Sequence, residues 1–165
     1  MLPSIRVYSK DEVGAEDKTV LPPRESPIEV ALHETLHVVV LRLDGLDIAA
    51  WTRLVPPQKY TVAALMAPEV YMTLNNISFT DQSVSSDRHA VADCIRPETL
   101  EDIIRQNREL LEAIFRCPWV GAAISILSVR MHDELREHKV MLGSSIHEII
   151  DPILQHSPYA DGLRA

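Results

Sequence analysis

"VALHETLHVVVLRL", Val30 to Leu43, is apolar at most positions, yet it carries His33, Glu34 and His37 in its middle. Its length and composition predict a helix over 28–43, apolar nearly all round and therefore central to the fold. Ser26 and Pro27 stand before it as N-cap and first-turn proline, and "DGLD" (Asp44 to Asp47) stops it. On a helix, residues four apart lie one turn above each other. His33 and His37 therefore point two imidazoles at one place, with Glu34 beside it. This is H-E-x-x-H, a pattern in which two neutral imidazoles hold a borderline-soft cation such as zinc. The glutamate hydrogen-bonds a water at the metal and accepts its proton. The competing reading is three polar groups satisfied within an ordinary core. Without a partner, burying them costs several kcal/mol, and a metal ion supplies that partner.

Working outward, the residues on either side are less apolar. Residues 1–27 read as an extended, Pro-rich N-terminal arm: "IRVYS" suits a short strand, "KDEVGAEDK" is polar and "LPPRESP" cannot be a helix interior. Such an arm suits ordering against a partner, in an oligomer or a larger assembly. After the central helix, "IAAWTRLV" (Ile48 to Val55) reads as a short strand. Helices are expected from Tyr60 to about Leu74, with a kink or break at Pro68, and from Val84 to Ile95, capped by Ser83, Ser85 or Ser86. Two more are expected from Pro97 to about Arg116 and from Pro118 to about His138. The Pro97 helix has its apolar stripe at Leu100, Ile103, Ile104, Leu110, Leu111 and Ile114. A last short helix begins at "GSSIHEII", where Ser145 and Glu148 have capping-box spacing. The expected organisation is a mainly α chain: the arm, a helical domain over 28–155 and a C-terminal tail over 156–165.

Composition bounds the function. With 46% hydrophobic residues in 165, the chain can bury one real core, and that core is aliphatic because aromatics are only 5%. A formal net charge of -8 argues against nucleic acid or an anionic membrane as partner and fits a cytoplasmic protein. Cys94 and Cys117 are too far apart for C-x-x-C chemistry and read as free buried thiols. The N-terminus has no apolar signal region, and the Val30–Leu43 segment is too short to span a bilayer.

A catalytic zinc usually takes three protein ligands and keeps a position for water. The third ligand is not in the motif helix, because "HVVVLRLDG" carries no further histidine. Glu69, Asp87 and His89 are the candidates downstream. His132, His138, His147 and His156 are scattered without ligand spacing, and solvent or capping roles are expected for them.

Three segments, taken in order, resemble a known family. "VALHETLHVVV" is similar to the motif helix of FtsH-type zinc metalloprotease peptidase domains, which reads roughly A-x-H-E-x-G-H-A-V-V. "AALMAPEVYM" (Ala63 to Met72) resembles that family's L-x-G-x-A-A-E helix, and "SVSSDRHAVAD" (Ser83 to Asp93) its G-A-S-x-D-L-x-x-A segment. From Pro118 to Ile150 the chain also resembles the ending of small stand-alone members. Leu36 stands where the family has glycine, "MAP" replaces the glycine of the second segment, and no G-x-x-x-x-G-K-[ST] ATPase motif occurs in the chain. The resemblance implies a zincin-like helical fold in which His33, His37 and Asp87 hold zinc, Glu34 is the catalytic base and the substrate is a polypeptide. The alternative is a non-catalytic structural or assembly protein of a multisubunit particle that retains this zinc-binding fold.

Overall fold

The computed structural model describes residues 27–48, 61–137 and 141–164. All of the predicted arm but Pro27, and all of the predicted Ile48–Val55 strand but Ile48, lie outside them. The described chain is mainly helical and contains no β-strand. Seven α-helices follow in order: α1 Pro27–Leu43, α2 Val62–Leu74, α3 Asp81–Cys94, α4 Leu100–Phe115, α5 Pro118–Glu137, α6 Gly143–Leu154 and the single turn α7 Asp161–Arg164. A 3₁₀ turn, Pro97–Thr99, leads into α4. No single described helix is long and apolar enough to cross a membrane.

The central position of α1 follows from its composition. Ala31, Leu36, Val38, Val39 and Leu41 are completely buried, on several sides of the helix. It packs between α2 and α5, and α7 lies against its C-terminal end. Pro27 opens it with a preset φ, Glu29 sits in the first turn and Arg42 in the last, each matching the helix dipole. It ends where Gly45 takes φ 82°. There Leu46 N–H donates to the Leu41 carbonyl and Gly45 N–H to that of Arg42, a Schellman closure that satisfies two orphan carbonyls. The Arg42 guanidinium then reaches across to both oxygens of Asp151, at 2.8 and 2.7 Å, and ties α1 to α6.

Thr61 caps α2 by accepting from Ala64 N–H, and its own hydroxyl donates to Asp44 at the end of α1. The helix runs through Pro68 without breaking, and Pro68 is buried. α3 begins a turn earlier than the sequence suggests. Its cap is Thr80, which accepts from Ser83 N–H while Ser83 Oγ donates back to the Thr80 carbonyl. The three predicted cap serines fall inside the helix. α4 and α5 meet at 83°; Leu111, Ile114 and Phe115 of α4 face the core, whereas Leu110 is exposed. α6 has no side-chain cap. Leu142 is its N-cap residue, so Ser145 and Glu148 lie within the helix and form no capping box. Burial of Gly143 and Ile146 places that first turn instead. Residues 156–164 fold back on the body: Ser157 and Ala160 are buried, and Gly162 approaches the backbone of Leu43, Asp44 and Gly45. Cys94 is exposed and Cys117 half-buried, so neither is the fully buried thiol expected.

Candidate metal centre

Helical geometry places His33 and His37 on one face of α1, with ring centroids 4.9 Å apart and planes inclined at 72°. Asp87 arrives from α3. Its Oδ2 lies 3.0 Å from His33 Nε2 and 3.2 Å from His37 Nε2. One ligand atom from each residue falls within 4.8 Å of the other two, a spacing that can hold a metal ion. Bonds of about 2.0–2.1 Å arranged tetrahedrally have edges of about 3.3–3.4 Å between ligand atoms. Both nitrogen–oxygen separations are close to that edge, while the three ligand atoms together are bounded at 4.8 Å. Two imidazoles and one carboxylate are also the donor types that zinc prefers.

His37 is held from both sides. Nδ1 lies 2.7 Å from the Ala64 carbonyl. A carbonyl only accepts, so Nδ1 carries a proton and donates it. That leaves Nε2 to face Asp87, the arrangement found for metal-ligating histidines whose other ring nitrogen is hydrogen-bonded. Burial pulls the His37 pKa down, but the Asp87 carboxylate, Glu34 and the Ala64 carbonyl outweigh it and raise it to about 9. Asp87 shows the converse. Burial raises its pKa, yet pairing with His37 and His33 carries it well below the usual carboxylate range. His37 and Asp87 thus each favour the charged form of the other.

Glu34 is half-buried one residue from His33, near enough for its charge to be felt by His37. The other two candidate ligands point elsewhere. Glu69 on α2 is gripped by the Arg88 guanidinium of α3, with one contact at 2.9 Å. His89 is exposed and its Nδ1 lies 2.7 Å from the Ser85 carbonyl of its own helix. Among the remaining histidines, His147 Nε2 accepts from Ile48 N–H, His156 stacks on Trp119, and His132 lies 3.7 Å from Asp133. His138 is outside the described residues.

Sequence reasoning missed two contributors. The Ala64 carbonyl orients His37, but a backbone atom leaves no residue-type signature. Arg88 ties α3 to α2 beside Asp87 through Glu69, and within its own helix it also pairs with Asp81 at 3.1 Å. That matters because α3 has few buried residues: Val84, Ala90 and Val91. Ala90 and Val91 share a small cluster with Leu65 of α2, separate from the main core. Comparison with protein-family models, with curated proteins and with solved structures finds no match.

Proposed function

We propose that this chain is a zinc-dependent metallopeptidase-like protein of the FtsH-peptidase type, acting on a polypeptide. The observation that carries the reading is the convergence of His33, His37 and Asp87 on one point, with Glu34 beside it on the same helix. His33, His37 and Asp87 would hold the ion, and the Ala64 carbonyl keeps His37 Nε2 turned to it. Zinc bound there supplies Lewis acidity, which lowers the pKa of water toward neutrality and steadies negative charge on a carbonyl oxygen. Glu34 takes the proton from the water that attacks the peptide carbonyl carbon. It then delivers that proton to the departing amine nitrogen as the C–N bond breaks. An ordinary carboxylate suffices for both transfers.

The test separates metal from catalysis. Protein purified without chelator should carry one zinc per chain, and His33→Ala or His37→Ala should abolish that stoichiometry. Glu34→Gln should keep the zinc and cut hydrolysis of an unstructured protein substrate by on the order of a hundredfold or more. Absence of zinc in the parent overturns the metal site. Zinc present with no hydrolysis, together with loss of association when residues 1–27 are deleted, makes the chain a non-catalytic assembly protein. Cleavage that survives Glu34→Gln refutes the proposed base.

A further inference from the structure

The Ala64 carbonyl that binds His37 lies in the first turn and a half of α2. In an unbroken α-helix that oxygen would accept from the N–H four residues on. Here the residue four on is Pro68, which has no N–H, and α2 continues through it. A proline ring in a helix interior also crowds the carbonyl four residues back and tilts it outward. The two effects act on one atom. The oxygen is deprived of its helical donor and is met by His37 Nδ1 at 2.7 Å. A buried carbonyl without a partner costs about 1–3 kcal/mol, and His37 removes that cost. Proline in an exposed helix interior costs about 3 kcal/mol relative to alanine, so a buried mid-helix proline needs a reason, and this pairing supplies one.

We infer that Pro68 is a positioning residue for the metal centre: it reserves the Ala64 carbonyl for His37 and so fixes which His37 nitrogen faces Asp87. The inference rests on the metal-site reading for its consequence, but the hydrogen bond it concerns exists in the metal-free protein. Any other residue at 68 restores an N–H that competes for the same oxygen along the helix axis. The carbonyl then swings back toward α2, and His37 loses the acceptor that holds its ring orientation.

The experiment uses Pro68→Ala and Pro68→Val in the full chain, two variants that restore the N–H but differ in volume. The first readout is metal-independent: the His37 Nδ1–H proton in NMR of chelator-treated protein. In the parent it should be a slowly exchanging, downfield imidazole resonance. In both variants it should exchange faster and move upfield. The second readout is zinc affinity by competition with a chromophoric chelator, expected to fall about 10–100-fold, the usual loss when the partner of a ligating histidine is removed. Melting temperature should stay level or rise in Pro68→Ala, because a helix-breaking residue is gone. A merely structural proline would instead leave the imidazole signal and the affinity untouched. An unchanged imidazole resonance in both variants overturns the inference. A parent that binds no zinc but whose imidazole resonance responds to both variants sinks the metal reading and leaves the positioning role standing. Should one variant fail to fold, the other decides through the same imidazole resonance.

Discussion

Raising the pH of chelator-treated protein from about 6 to about 10 should remove a proton from His37 and cost folding stability. The His37 pKa is about 9 in the folded chain, against an ordinary 6.5. A group raised on folding contributes stability that is complete below its unfolded pKa and is lost as pH climbs through the folded one. Each pKa unit corresponds to about 1.36 kcal/mol, so the loss across this window is on the order of 3 kcal/mol. The acid limb has the opposite sign. Asp87 is depressed on folding, so its contribution is present above the ordinary carboxylate range and falls away as pH drops below about 4. Both limbs report the same ion pair and must not be added. The assay is urea unfolding of metal-free protein at intervals across the window, with His37→Gln run in parallel so that other titrating groups cancel. Metal changes the picture in a defined direction. An entering cation displaces the Nε2 proton, so zinc binding near neutral pH should release about one proton and strengthen as pH rises toward about 9. Calorimetry in two buffers of different ionisation enthalpy counts that proton. A parent-minus-variant difference that stays flat between about pH 6 and 10 would refute the ion pair and with it the geometry of the cluster.

Two further changes test the packing that positions the site. Leu36→Gly, which installs the residue of the resembling family, should cost about 3–6 kcal/mol in urea unfolding. It empties a completely buried position and puts glycine mid-helix; a loss under about 1 kcal/mol would show that the site collapses around the change. Gly162→Ala places a Cβ 2.5 Å from the Asp44 carbonyl carbon and 2.6 Å from Gly45 N. Backbone cannot yield there, so α7 should loosen at a cost of about 1–3 kcal/mol, seen as faster amide exchange over residues 157–164. Unchanged exchange would mean that α7 tolerates the added methyl group.

α1, α4 and α5 are legible in the sequence because their apolar residues recur at helical spacing or a proline opens them, whereas α7 lies in a stretch that reads as a C-terminal tail. α1 is the clearest case. The misplacements have local causes. Thr80 caps α3 from within a polar run, "TDQS", where no apolar periodicity marks the boundary. Ser145 and Glu148 have the right spacing for a cap, but burial of Gly143 and Ile146 decides where α6 begins. In the candidate site, His33, Glu34 and His37 are local and visible. Asp87 sits 54 residues from His33, a separation for which no spacing rule exists; residue type offers it only beside Glu69 and His89, and the resemblance alone singles it out. Glu69 looked like a possible ligand because it is acidic and nearby in sequence. Its engagement by Arg88 is a tertiary fact, as is the use of Pro68 to free a carbonyl.

The central placement of α1 also sets a schedule for synthesis. Thr35 donates to Met131 Sδ across 96 residues, and Arg42 reaches Asp151 across 109. At about 5–20 residues per second on a ribosome, this central helix waits roughly 5–20 s for the α5 face that covers it. By contrast, His33, His37 and Asp87 all emerge before α5 begins. The candidate ligand set is thus complete on a nascent chain whose main core is not. Capture of a cation at that stage would clamp α3 to α1 early and shorten the exposure of the α1 surface to aggregation.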